Sequence, residues 1–231
     1  MGEREAYARE VALIGEENFA KLRAAHVAVF GIGGVGSYAA EALVRAGVGA
    51  LTFVDGDAVA ESNLNRQLVA LHSTLGQNKA QVMAARAQDI DPACRVRAVP
   101  AFYRPGDALP AVSCIADCID SVADKVALLA AARRANIPAV SCMGAGNRLA
   151  AEFRAADIEQ TSGCPLARIV RRELRKEGVT GVRAVYSPSL PLAPARAGFA
   201  EGERAIGSIS FVPSAAGLAV AAEVVRILLK G

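Results

Sequence analysis

No two cysteines in this chain stand in a C-x-x-C spacing. Five are present, Cys94, Cys114, Cys118, Cys142 and Cys164, and an odd set without paired spacing argues against both a secreted disulfide framework and a structural zinc site built from two C-x-x-C pairs. Nothing at the N-terminus reads as a signal peptide, so a reducing cytoplasm is the expected setting. Long apolar runs are missing as well. The most hydrophobic stretch, "AAGLAVAAEVVRILLK", is interrupted by Glu223 and Arg226 and preceded by Pro213, short of the roughly 18 uninterrupted apolar residues of a membrane span. A soluble protein with no membrane partner is expected. Nor is there a surplus of one charge: 26 basic against 23 acidic residues leave a net +3, so any nucleic-acid surface must be a local basic patch. The two histidines, His26 and His72, have no metal-ligand partner near them in sequence. No internal repeat or domain linker interrupts the chain.

What is there is apolar and periodic. A hydrophobic content of 53% over 231 residues allows one large buried core, and residues 1–231 read as a single domain with an N-terminal helical arm over 1–25. Val27–Phe30 is a short apolar β-type run closed by glycines, and Ser37–Arg45 then carries Ala and Leu at helical spacing. The same reasoning gives strands at Leu51–Val54, Val96–Val99, Val112–Ala116 and Ala139–Cys142, with helices at Lys79–Asp89 and Val122–Ala135. That alternation predicts an α/β, Rossmann-like, doubly wound and mostly parallel sheet. After Gly144 the pattern changes. Arg148–Phe153 alternates, Pro165–Glu177 is a basic helix and Arg183–Tyr186 is β-like, followed by a final strand at Ser208–Val212 and a helix at Ser214–Lys230. An extension by C-terminal antiparallel strands follows from this. Prolines and glycines crowd 187–207, which reads as a mobile loop.

Gly31, Gly33 and Gly36 fit G-x-G-x-x-G, with Gly34 inside the same turn. Such a turn needs a permissive backbone, lets phosphate approach, and places helix N–H groups and a positive dipole against an anion. Asp55 ends the next strand, where a ribose hydroxyl is bound. A dinucleotide fingerprint would stop there, but this chain continues "DGDAVAESNLNRQLVALHSTLGQNKAQ". Asn63, Arg66, Gln67 and Lys79 can converge on a triphosphate and neutralise the charge that builds as pyrophosphate leaves; taken singly, Arg66 and Lys79 read equally as solvated surface charges. Farther on, "SCIADCIDSVADK" sets Asp117 and Asp120 at the ligand edge of a central strand. A carboxylate there can hold Mg²⁺ on phosphates, or Asp120 or Ser121 can simply cap the following helix. The residues alone leave that open.

Four pieces, "GIGGVGSYAAEAL", "VDGDAVAESNLNRQ", "GQNKAQ" and "DCIDS", together resemble the ThiF/MoeB/HesA superfamily of adenylating enzymes. The resemblance implies ATP rather than NAD, with Asp55 on the ribose, Asn63, Arg66, Gln67 and Lys79 around the phosphates, and Asp120 on Mg²⁺. "YAREVALIGEENFAKL" is similar to the family segment that enters a neighbouring subunit's site, which implies a homodimer with Arg9 acting in trans. The segments "ARRANIPAV", "CPLARIVRREL" and "GSISFVPSAAGLAVAAEVVRILL" are most similar to the tRNA threonylcarbamoyladenosine dehydratase group. That group implies adenylation of a threonyl carboxylate in tRNA, then intramolecular capture with release of AMP, with a sulfur-transfer protein as a conceivable partner.

Activation of a ubiquitin-like or sulfur-carrier protein shares the first half-reaction and is the alternative. Carrier chemistry can use a cysteine, and Cys164, beside Pro165 at the start of the basic helix, is the candidate, with a structural role as the simpler account. Arg168, Arg172 and Arg175 fall near one face of that helix and can meet phosphates, alongside Arg171 and Lys176. Glu173 and Glu177 dilute the charge, so a solvated face is the plain alternative.

Overall fold

The computed structural model describes residues 3–193 and 206–230. An N-terminal arm of three helices, α1 (Glu3–Ala6), α2 (Ala8–Ile14) and α3 (Glu16–Ala24), leads into β1 (His26–Phe30). There follow α4 (Gly36–Arg45), β2 (Ala50–Val54), α5 (Lys79–Ile90), β3 (Arg95–Val99), β4 (Cys114–Asp117) and α6 (Val122–Arg134). The last elements are β5 (Ala139–Cys142), β6 (Arg154–Asp157), α7 (Pro165–Lys176), β7 (Arg183–Tyr186) and α8 (Phe211–Lys230).

The strands form one seven-stranded sheet in the order β3-β2-β1-β4-β5-β7-β6, parallel throughout except for the antiparallel β6–β7 pair. Runs such as "ALTFV" in β2 are buried at every position, because a parallel sheet is covered on both faces and has no polar side to alternate with. Val27, Val29, Leu51 and Phe53 pack with residues of α4, α5 and α8 on one face, while Ala28, Phe30 and Ile115 pack with Leu128 and Ala132 of α6 on the other. The order reverses between β1 and β4, and the crevice outside their carboxyl ends is where such a sheet takes ligands.

The structure corrects the sequence reading in places. Ser208–Val212 forms no strand; α8 starts at Phe211 and carries Pro213 in its first turn, where a missing N–H costs the helix nothing. Arg148–Phe153 is irregular, and the strand begins only at Arg154. The alternation fails because Asn147 adopts φ +56° and Arg148 turns inward, donating from Nε to the Gly144 carbonyl at 3.2 Å and from Nη1 to Ser187 Oγ at 3.2 Å. Strand β4 begins at Cys114 rather than Val112. The C-terminal antiparallel extension is the single β6–β7 pair, with β7 parallel to β5. Of the loop read at 187–207, the part at 194–205 lies outside the described residues.

By length and composition alone α8 would pass for a membrane span. Its Val212, Ala216, Val220 and Val224 are instead buried in the core, and Glu223 is an inward carboxylate only 3% exposed. Arg183 of β7 donates to Glu223 Oε1 at 2.8 Å, and Arg226 pairs with the other oxygen. Glu223→Ala takes this partner from Arg226 and leaves Arg183 with Asp157 at 3.1 Å, beside a void. Both guanidiniums remain partly solvated, so the expected loss is about 2 kcal/mol rather than the ~3–5 of a fully buried pair, read as a lower urea midpoint at unchanged slope.

The arm is pinned at Tyr7. Its hydroxyl donates to Asp91 Oδ2 at 3.0 Å, Arg23 Nη1 donates to the same oxygen at 2.6 Å, and the ring packs 5.0 Å from that of Phe19. Burial, reinforced by the Asp91 carboxylate, pushes the Tyr7 phenol far above its ordinary range.

Candidate active site

A cavity of about 680 Å³ opens at the carboxyl ends of β1, β2 and β4, closed on one side by the start of α8. Gly31, Gly33, Gly34, Asp55, Asn63, Arg66, Gln67, Lys79 and Asp120 all line it, so residues spread over ninety positions of sequence meet in one place. Gly36 and Arg9 do not line it.

The glycines divide by duty. Gly31 takes φ +85°, and a Cβ there would stand 2.7 Å from the Cys118 carbonyl oxygen. A Cβ on Gly36 would overlap the Gly31 carbonyl oxygen, so this glycine lets α4 seat on the turn. Gly33 is different: a Cβ there meets only Gln67 Nε2, at an ordinary 3.8 Å. Packing does not require glycine at 33. The open side faces the cavity, which is the space a phosphate needs to reach backbone N–H groups. At Gly34 a Cβ would crowd Pro213 of α8 at 3.2 Å and Arg66 at 3.5 Å.

Asp55 ends β2 and is 7% exposed. Its Oδ2 accepts from the Ile32 N–H at 2.6 Å and its Oδ1 from the Asp57 N–H at 2.8 Å, which ties the end of β2 to the glycine turn. Burial raises its pKa above the usual carboxylate value, with those two backbone donors opposing. Each oxygen keeps acceptor capacity for a hydroxyl. Asn78 caps α5, accepting from the Gln81 N–H at 3.2 Å, and its amide donates to the Asp55 and Asp57 carbonyls at 3.0 and 3.1 Å. Lys79, next in sequence and 5% exposed, is thereby aimed inward and donates to Asp57 Oδ2 at 2.8 Å.

Asn63 uses its Oδ1 to accept from the Ala60 N–H at 3.1 Å, closing the turn Glu61–Asn63. Arg66 follows and donates from Nη1 to the Ser62 carbonyl at 2.7 Å and Asn65 Oδ1 at 2.9 Å. It has no carboxylate partner among the described residues. Gln67 is 8% exposed, and its Oε1 is buried without a hydrogen-bond partner among the described residues, a cost that a bound donor would relieve.

The capping question at Asp120 is resolved by its neighbour. Ser121 is the N-cap of α6 and its side chain accepts from the Asp124 N–H. Asp120 is exposed at the cavity wall and makes no hydrogen bond among the described residues. Asp117, the other acid read at this edge, is fully buried and does not line the cavity.

One wall was missed in the sequence. The connection from β3 to β4 contains no helix and sends Phe102, Tyr103 and Arg104 into the cavity lining. Phe102 lies over Gly56, where a Cβ would come 2.7 Å from its ring. Arg104 stands 5.1 Å above the Phe102 ring and pairs with Asp124 at 3.2 Å. The adjacent pair of aromatics after a strand, ending at Pro105-Gly106, is the signal that could have marked it.

Four of the cysteines are buried and Cys118 is partly so. Burial pushes the thiols of Cys94 up to about 11 and of Cys114 and Cys142 up to about 12. Cys118 lines the cavity rather than the deep core, and burial holds its thiol well above the ordinary value too. Cys164 is 6% exposed at the N-cap of α7. Iodoacetamide at neutral pH is therefore expected to leave turnover unchanged and to label native protein far less than unfolded protein, by mass spectrometry. Parallel loss of activity and labelling of one cysteine would contradict this.

On α7, Arg168, Arg172 and Arg175 are exposed, as their spacing predicts. Arg171 is not part of that face, since it donates to the Ile158 and Thr161 carbonyls at 3.1 and 3.0 Å.

Arg66, Lys79 and the glycine-turn amides make a seat for a polyanion, and Gln67, Gly33 and Asp120 are the features that the protein's own packing leaves unexplained. Among the described residues no three His, Cys, Asp or Glu side chains gather as a metal cage. A cation here would be held by Asp120 together with phosphate oxygens and water, the manner in which Mg²⁺ is commonly bound.

Comparison with known proteins bears on the chemistry. The ThiF family profile matches residues 7–231. The tRNA threonylcarbamoyladenosine dehydratase of Bacillus subtilis is 40% identical over 97% of this chain and 94% of its own length. A crystal structure of the E. coli tRNA N6-threonylcarbamoyladenosine dehydratase TcdA in complex with ATP superposes with a TM-score of 0.89, at 34% identity, over 98% of this chain and 95% of that one. The molybdopterin-synthase adenylyltransferase of Salmonella typhimurium is more distant, 32% identical over 68% of this chain and 65% of its own.

Proposed function

This chain belongs to the ThiF family, and on that footing we propose that it is an ATP-dependent tRNA threonylcarbamoyladenosine dehydratase acting as a single adenylating domain. The observation that carries this reading is the meeting of Gly33, Arg66, Gln67, Lys79 and Asp120 in one cavity, a set a nicotinamide cofactor gives no reason for. The near full-length likeness to a dehydratase selects the acyl substrate.

In the first step a threonyl carboxylate oxygen of the modified adenosine attacks the α-phosphorus of ATP, and the bond to the leaving pyrophosphate breaks. The glycine-turn N–H groups, Arg66 and Lys79 bind the phosphates and offset the charge that grows on the departing oxygens. Asp55 orients the ribose, and Asn63 and Gln67 complete the polar wall. When bound at Asp120, Mg²⁺ supplies charge neutralisation on the phosphates. In the second step a nucleophilic atom of the same threonylcarbamoyl group attacks the activated carbonyl carbon and AMP departs with the former carboxylate oxygen, which is the net loss of water. Because nucleophile and acyl group are tethered, effective molarity supplies much of the rate. No protein nucleophile is needed, in keeping with five buried or shielded thiols.

The tRNA is proposed to lie across α7 through Arg168, Arg172 and Arg175, and the unpaired thiols suit the cytoplasm. A homodimer with Arg9 reaching the partner's site is part of the proposal: Arg9 is exposed on α2 and contributes nothing to its own cavity. Arg9→Ala should inactivate a homodimer, while mixed dimers with Arg66→Ala should regain about half of wild-type turnover per mixed dimer, since one of the two sites keeps Arg66 and can borrow the one intact arginine. Absence of rescue despite verified subunit exchange would count against action in trans.

The reading is tested by pyrophosphate and AMP release with two acyl substrates. Both should form with tRNA carrying threonylcarbamoyladenosine and neither with a carrier protein ending in a free glycyl carboxylate; pyrophosphate release with the carrier and not with the tRNA would install the carrier-activating alternative.

A further inference from the structure

The carboxyl end of β4 contains an ion pair that no step above uses. Asp117 and Lys125 are both 0% exposed, and Lys125 Nζ donates to Asp117 Oδ2 at 2.7 Å, to Ser141 Oγ at 3.4 Å and to the Cys142 carbonyl at 3.1 Å. Ser141 Oγ donates to the same carboxylate oxygen at 2.6 Å. The other oxygen, Oδ1, accepts from the Ile119 backbone N–H at 3.0 Å. The ammonium's three donors and both carboxylate oxygens are all engaged.

Such a pair is a poor device for stability. Desolvating two full charges offsets most of their attraction, and apolar replacement of both partners is often neutral or stabilising by about 1–4 kcal/mol. Its placement suggests a different purpose. Asp117 is the last residue of β4, Ser121 caps α6, and Lys125 lies in the first turns of that helix. The loop 118–121 is therefore held at its root by Ile119 on Asp117 and at its far end by a helix whose lysine returns to the same carboxylate. The Cys142 carbonyl draws the end of β5 into the same knot. At the outer tip of this closed unit stands Asp120, exposed, facing the cavity and bonded to no other described residue.

We propose that the buried Asp117–Lys125–Ser141 network is a positioning device that sets Asp120 for the metal ion of Mg·ATP. The inference rests on the assignment of Asp120 to that ion. Groups that fix a metal-holding carboxylate act through its orientation, and losing them typically costs about 10- to 100-fold in metal affinity or activity. Here the hold is exerted through the loop backbone rather than by contact with Asp120 itself.

Asp117→Asn combined with Lys125→Met, an uncharged pair of similar volume, separates positioning from stability. Calorimetric titration of ATP with and without Mg²⁺ is the readout. Wild-type protein should bind ATP more tightly with Mg²⁺. In the double variant the metal-free affinity should stay within about twofold and the Mg²⁺-dependent gain should fall about tenfold. Ser141→Ala, which removes two hydrogen bonds and leaves the ion pair in place, should show a smaller loss of the same kind, and it decides the matter if the double variant does not fold. Asp120→Asn is titrated alongside. If it abolishes the gain while the folded network variants keep it, the positioning inference is overturned and the Asp120 assignment stands. If Asp120→Asn keeps the gain, or wild type shows none, both fall.

Discussion

Arg66→Ala is expected to cut turnover about a hundred- to a thousandfold while leaving the melting temperature within a degree or two. The catalytic loss follows from what the guanidinium is proposed to do. Charge develops on the bridging oxygen as pyrophosphate departs, in a cavity that limits solvent screening, and removing one preorganised donor from such a site typically costs about 10²–10³ in rate. The small structural cost follows from what the side chain does at rest. Among the described residues its side chain hydrogen-bonds only to the Ser62 carbonyl and to Asn65 Oδ1, both local and on the surface, and surface changes away from caps and buried networks usually stay within about 0.5 kcal/mol. Arg66→Lys should recover part of the rate and not all of it, because an ammonium keeps the charge but not the planar fork. Pre-steady-state measurement of pyrophosphate release separates this from an effect on tRNA binding; unchanged release would remove Arg66 from the phosphate site.

The second large effect is a contrast between two glycines three residues apart. Gly36→Ala should leave little folded protein, since its Cβ would occupy the place of the Gly31 carbonyl oxygen and approach Cys118 Cβ at 3.2 Å. Neither neighbour can yield: one is backbone in the turn, and the other belongs to the loop after β4. Relief would require lifting α4 off β1, which undoes packing of Ala39, Ala40 and Leu43. Gly33→Ala should do the opposite. A Cβ there meets only Gln67 Nε2 at 3.8 Å, so the fold should tolerate it, yet the methyl group stands where phosphate must approach backbone. ATP affinity is expected to fall at least a hundredfold with an unfolding midpoint close to wild type. Equal tolerance of both substitutions, or equal intolerance, would show that the turn is not divided between packing and binding in this way.

Much of this was legible in the sequence, for reasons that can be named. The parallel core strands were readable because burial on both faces leaves uninterrupted apolar runs such as Leu51–Val54, and α4 because Ala and Leu recur at helical spacing. The nucleotide side was readable because its parts sit in contiguous motifs whose spacing is set by backbone geometry. The acid at Asp120 was ambiguous until Ser121 was seen to take the capping role, a distinction that depends on side-chain direction rather than residue type. The Phe102–Arg104 wall was not legible, because it belongs to a connection without secondary structure and so without periodicity. Arg148 misled, since an inward arginine breaks the alternation that its neighbours suggest. Asp117 looked like a ligand and is a buried partner of Lys125; a lysine eight residues away in sequence does not announce that it shares the same interior.

In the proposed reaction ATP is spent to cyclise a carboxylate already attached to tRNA. The most direct measurement incubates purified protein with ATP, Mg²⁺ and tRNA bearing threonylcarbamoyladenosine, digests the tRNA to nucleosides, and follows the modified nucleoside by mass spectrometry with AMP quantified in parallel. The expected result is loss of one water from that nucleoside, with one AMP formed for each molecule converted. An unchanged nucleoside and no AMP, from folded protein that binds ATP, would contradict it.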